Sequence, residues 1–119
     1  TDADYQQQAR VICNVIDCQG MLDIRQQDAN TFDYPGVNNL VVCTSTDNIE
    51  GRAWFDRIPA GTAVALQGRT GGHRDCVQPY ETQDDFNRAY PFAQEGFLGQ
   101  MLFSYPDHKY TRFMKIGVK

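Results

Sequence analysis

The stretch RAWFDRI, residues 52–58, lies between two β-branched runs, NLVVCTST (39–46) and TAVALQ (62–67), and its conformation decides how a sheet built from them is connected. Its aromatic content reads as a strand. The link Ile58-Pro59-Ala60-Gly61 puts a proline where a type I or II turn accepts one, so 52–58 and 62–67 are predicted to form a β-hairpin. Neighbours on a strand point to opposite faces, so Phe55 facing a core would turn Trp54 toward solvent and make it available to a ligand.

Downstream, TQDDFNRAYP (82–91) carries the signals of a short helix. Thr82 is placed to cap it with Asp85 at the reciprocal position, Phe86, Ala89 and Tyr90 share one face, and Pro91 ends it. GFLGQMLFSY (96–105) then puts Phe97, Met101, Phe103 and Tyr105 on one face, while YTRFMKIGVK (110–119) alternates Met114, Ile116 and Val118 against Lys115 and Lys119. The intervening PDHK is a turn led by Pro106, which predicts a terminal hairpin.

Upstream, Tyr5, Ala9, Ile12 and Ile16 fall on one arc at about 100° per residue, which predicts a helix over 3–17. Residues 19–38 read as a long connection broken by Gly20 and Pro35-Gly36, with Phe32 and Tyr34 anchoring it to the core. The order is helix, strands, helix, strands. Its natural packing is an α+β two-layer sandwich with the helices on one face of a mainly antiparallel sheet, a single domain over 1–119.

Four cysteines, Cys13, Cys18, Cys43 and Cys76, lack the C-x-x-C spacing of a zinc site and suit two disulfides, hence a secreted, extracellular protein. On a helix Cys13 and Cys18 are separated by roughly 7.5 Å of rise plus a change of face, too far to bridge each other. That leaves Cys13–Cys43 with Cys18–Cys76, or Cys13–Cys76 with Cys18–Cys43. No charged and apolar leader opens the chain, which therefore reads as mature, and no run is long and apolar enough for membrane insertion.

The formal net charge of -4 argues against a general nucleic-acid binder. Charge is nevertheless uneven: residues 105–119 hold Asp107 against Lys109, Arg112, Lys115 and Lys119, which suits a local basic face but reads first as a solvated edge strand guarded by lysines.

GRTGGHRDC (68–76) concentrates the chemistry-bearing residue types. It lacks the lysine and hydroxyl of a phosphate-binding P-loop, and its HRD triplet stands without the other kinase elements. His73 and His108 are too distant in sequence to form a local metal motif, so neither metal nor cofactor is expected. Gly71 and Gly72 suit a tight turn, with a bridged Cys76 pinning its far end. His73 and His108, with Glu81, Arg74, Lys109 and Arg112, supply the residue types of a small ribonuclease, which needs an acid, a base and cations. An effector or protease inhibitor presenting FDYPGVN (32–38) or GRTGGHRDC is a further alternative.

The favoured reading is a glycan-binding surface without catalysis: aromatic faces pack on sugar C–H groups while polar side chains bond hydroxyls. Its candidate residues are Trp54, Arg69, His73, Arg74, Asp75, Tyr80 and Tyr90. The element order in a small disulfide-bearing chain resembles that of small secreted fungal proteins, among them the glycan-binding cytotoxic proteins of mushrooms. The resemblance implies an extracellular defence protein that recognises a glycan or glycoprotein and is compatible with a homodimer, whose paired sites raise avidity. No residue role is carried over, because the likeness is architectural.

Overall fold

The computed structural model describes residues 4, 7, 8, 11, 25–36 and 39–119. Of the helix expected over 3–17, Asp4, Gln7, Gln8 and Val11 are helical and exposed, and its remaining residues lie outside the described ones. Cys13 and Cys18 lie outside them as well. Cys43 and Cys76 carry free thiols, so neither is bridged in this structure.

The described elements are β1 (Leu40–Cys43), α1 (Ala53–Asp56), β2 (Ala63–Arg69), α2 (Gln83–Ala89), β3 (Gln94–Ser104) and β4 (Lys109–Val118), with short 3-10 helices at Ala29–Thr31 and Thr46–Asn48. The sheet order is β1-β2-β4-β3. β1 runs parallel to β2, and the other two pairings are antiparallel, so this is a mixed sheet in an α+β fold.

RAWFDRI is therefore not a strand. Ala53–Asp56 forms one helical turn inside the crossover that two adjacent parallel strands require. Burial gives the reason: Trp54 and Phe55 are both 1% exposed, which a strand, pointing neighbours to opposite faces, would not allow in a two-layer fold. Asn30 organises the entry to this turn, its side-chain oxygen accepting from the Trp54 amide at 2.9 Å while its amide donates to the Glu50 carbonyl at 3.3 Å. At the exit Lys119 Nζ donates to the carbonyls of Phe55, Asp56 and Ile58 at 2.8, 2.9 and 2.7 Å. The turn at Pro59 exists, with the Thr62 amide bonding the Pro59 carbonyl at 3.2 Å, but it joins α1 to β2.

α2 and the β3–β4 hairpin form as the sequence predicts. Thr82 Oγ1 accepts from the Asp85 amide at 3.1 Å, and the Asp85 carboxylate accepts from the Thr82 amide at 3.2 Å. The far end of α2 is closed from outside by Arg52, which donates to the Ala89 carbonyl at 3.0 Å.

β4 reverses an expectation. It lies between β2 and β3, not at an edge, and its inward side chains are Phe113 and Lys115, 1% and 2% exposed. Phe113 stacks on Phe86 of α2 with ring centroids 5.8 Å apart. Lys115 Nζ reaches the Tyr90 carbonyl at 2.6 Å and lies 4.4 Å from the centroid of Phe92. Since side chains alternate strictly, this parity sends Met114 and Ile116 to the opposite, open face.

The core is aromatic: Trp54, Phe55, Tyr80, Phe86, Tyr90 and Phe113, with Ile58, Val64 and Leu66. Tyr34 packs against it from the 25–36 connection, as expected of an anchor, while Phe32 lies edge-on against Tyr34 and not among the residues packed on the core. Gly68 is where the core closes on β2. A Cβ there would lie 2.7 Å from Thr46 Oγ1 and 2.9 Å from carbons of both Phe86 and Tyr80.

Candidate functional site

Three of the residues proposed to touch a ligand are core residues instead. Trp54, Tyr80 and Tyr90 are 1%, 5% and 0% exposed. The Tyr80 and Tyr90 hydroxyls bond each other inside the core, which satisfies their polar ends. Burial pushes both phenol pKa values up, and for Tyr90 the bond to Tyr80 pushes further in the same direction. Their sequence neighbours are turn-like, which made exposure the natural expectation, but ring area decided their burial.

His73, Arg74 and Asp75 do sit together on an exposed loop. The Asp75 carboxylate is 3.7 Å from both His73 Nδ1 and Arg74 Nε. Gly72 takes φ +101° at the turn as expected, whereas Gly71, expected to share that role, does not have a positive φ. The loop is fastened without a disulfide: the amides of Val77 and Gln78 both bond the Asp47 carbonyl at 2.9 Å, and the Tyr80 amide bonds the Arg69 carbonyl at 3.1 Å. Burial and the neighbouring Asp47 carboxylate raise the Cys76 thiol pKa, which keeps it a poor nucleophile at neutral pH.

The two histidines have separate partners. His108 Nδ1 is 2.7 Å from Asp107 Oδ1, and among the described residues no hydrogen bond or ring contact joins His108 to His73. The bond to His108 holds the Asp107 carboxyl below its ordinary range.

Arg69 belongs to a different group, on the open face of the sheet. Strict alternation and the registers Arg69↔Arg112, Gln67↔Met114 and Phe103↔Tyr110 place these six side chains on that face. The Arg69 guanidinium carbon lies 3.9 Å from the Tyr110 ring centroid, and that of Arg112 lies 5.9 Å from it. Phe103 stacks on Tyr110 at 5.1 Å with planes 10° apart. Tyr105 stacks on His108 at 4.8 Å, and both rings lie nearly parallel to Tyr110 at 6.2 Å. The result is an array of four nearly parallel rings with a guanidinium laid against it. Beside it is a shallow depression of about 210 Å³ walled by Phe97, Met101, Arg112 and Met114.

The two arginines of the array differ in their partners from four other arginines of the protein. Arg52 pairs with Asp56, Arg57 with Asp33, Arg74 with Asp75 and Arg88 with Asp85. Arg69 and Arg112 have no carboxylate partner among the described residues. Arg112 donates to the neutral Gln67 side chain at 3.1 Å and Arg69 to the Thr70 carbonyl at 3.1 Å. Among the described residues no carboxylate neutralises either charge, and ring contacts and neutral acceptors hold both guanidinium groups in place.

Tyr110 is the residue that sequence reasoning missed. Its signal was present in the parity of the terminal hairpin: Phe103 and Tyr105 on one strand and Tyr110 and Arg112 on the other must share a face once the strands pair antiparallel through PDHK. No protein-family model matches this chain, and neither a curated protein nor a solved structure matches it.

Proposed function

We propose that this is a non-catalytic, extracellular glycan-binding protein whose ligand is an acidic saccharide held on the open sheet face by Arg69, Tyr110, Arg112, Tyr105 and His108. The observation that carries the reading is the pair of arginines that have no carboxylate partner among the described residues, set against a parallel ring array. Aromatic rings pack on sugar C–H faces, and a guanidinium bonds a carboxylate or sulfate through two parallel donors. Tyr105 and His108, 46% and about half exposed, are the members of the array most open to a ligand. The net charge of -4 disfavours a long polyanion and suits a short ligand with one or two negative groups. The carbohydrate class is the one that composition pointed to; the site in this reading is the hairpin face, with Arg69 as its one residue in common with the loop-centred expectation.

The test is titration calorimetry with three probes: an oligosaccharide of hexuronic acid, a neutral oligosaccharide of equal length, and a single-stranded RNA oligonucleotide. The acidic sugar should bind most tightly, and Arg112→Gln should weaken it about tenfold, the usual weight of one charge-assisted contact. Equal affinity for acidic and neutral sugars, or unchanged binding in Arg69→Gln and Arg112→Gln, removes the proposal. Tighter binding of the RNA, or RNA cleavage that disappears in His108→Ala, replaces it with the nuclease alternative.

A further inference from the structure

β3 is a terminal strand of the sheet, and among the described residues nothing pairs with its outer edge. Exposed edges are ordinarily guarded by lysine, proline or inward-pointing charge. From Phe97 to Ser104 β3 carries none of these; its one charged residue, Glu95, precedes that segment and pairs with Gly117 on the side of Lys115. The irregularity of β3 falls between Glu95 and Phe97, after which pairing with β4 is continuous to Ser104. The regular segment reads Phe97-Leu98-Gly99-Gln100-Met101-Leu102-Phe103, which is nearly the same in both directions about Gln100.

We propose that the protein pairs with a second copy of itself along β3, antiparallel, about a two-fold axis through Gln100. A near-palindromic strand is self-complementary in this arrangement. Phe97 lies opposite Phe103 of the second copy, Leu98 opposite Leu102, Gly99 opposite Met101, and Gln100 opposite itself. Opposed residues share a face, so the helix layers of both copies fall on one side and the open faces on the other. Aromatic and aliphatic cross-strand pairs of this kind are the stabilising units of a sheet. Met101 and Leu102, 62% and 64% exposed, thereby gain cover. The ring of Phe97, which already lies over Gly99, flanks the incoming Met101.

Charge selects the same register. The irregularity before Phe97 brings Glu95 level with Ser104 of the second copy, at the strand end where His108 and Lys109 sit, since Lys109 pairs with Ser104. Moving the axis to Gly99 would set Leu98 against Gln100 and Glu95 level with the apolar Leu102, and a parallel pairing would bring Glu95 beside Glu95. On the helix face Glu81 and Asp84 line the groove next to Gln100, so their repulsion across the axis makes association stronger with added salt.

Sedimentation equilibrium of the full chain should give a dimer, more complete at higher salt. Met101→Lys puts a cation near the axis and beside Arg112, its β4 neighbour, and should raise the dissociation constant at least about tenfold while circular dichroism stays unchanged. The register is read by cross-linking: under mild oxidation Gln100→Cys should form a covalent dimer, and Leu102→Cys, with the more exposed parent side chain, should form none beyond the native chain. A monomeric native chain overturns the proposal, as does a dimer indifferent to Met101→Lys. Cross-linking of Leu102→Cys equal to that of Gln100→Cys overturns it too.

Discussion

Lys115 Nζ lies 2.6 Å from the carbonyl oxygen of Tyr90, so a lysine in the middle of a central strand closes the end of the helix packed above it. A longer contact, 3.4 Å to the Asn87 carbonyl, adds a second acceptor from the same turn. Helix ends leave carbonyls unpaired and carry partial negative charge, so they partner a buried cation here, with the Glu95 carboxylate near enough to favour its charged form. Removing it with Lys115→Met should leave the Tyr90 carbonyl buried and unbonded, at a cost of about 1–3 kcal/mol. Urea unfolding monitored by tryptophan fluorescence would measure it.

Lys119 performs the same service for α1 with three acceptor carbonyls. Its replacement by alanine should lower stability by about 1–2 kcal/mol and loosen the 53–58 turn specifically. Hydrogen exchange at the amides of Phe55, Asp56 and Arg57 should quicken more than exchange in β3.

Alkaline pH should unfold the protein through its buried acids. Burial holds the Tyr80 and Tyr90 phenols and the Cys43 and Cys76 thiols above their ordinary values of 10.0 and 9.0. Such groups keep their protons longer when folded, so the stability they contribute is complete below those values and is lost as pH rises toward the folded ones. Burial lowers the pKa of Lys115 and Lys119, which has the opposite sign and relieves part of the loss. A pH series of urea midpoints should fall through this alkaline range, and Tyr90→Phe should flatten the fall.

Gly68→Ala tests the closure of the core. The added methyl has no free space, with three neighbours inside 3.0 Å, and ring movement in a close-packed core costs about 1–3 kcal/mol. A lower thermal midpoint with an unchanged fold is expected. Gly72→Ala, at positive φ on the exposed loop, should cost about 1 kcal/mol through backbone strain alone.

Local signals decided α2 and the β3–β4 hairpin. The Thr82–Asp85 reciprocal bonds and the turn at Pro106 act over three or four residues, so the sequence determines them before any other element is placed. RAWFDRI holds no such signal. Its composition suits a strand, and it became a helical turn because Trp54 and Phe55 both found cover against Tyr90, which also removed Trp54 from the surface. Tyr80 and Tyr90 followed the same logic. The parity of β4 was equally beyond local reading: Met114 and Ile116 are the more apolar set, yet Phe113 and Lys115 face inward, one for a ring stack on α2 and the other for its open carbonyls. Alternation along each strand was thus legible from residue order. Which face became the core, and hence that Arg69, Phe103, Tyr110 and Arg112 meet on the open one, depended on what the helices offered across the interface, because burial is a property of contacts between segments that the chain brings together only on folding.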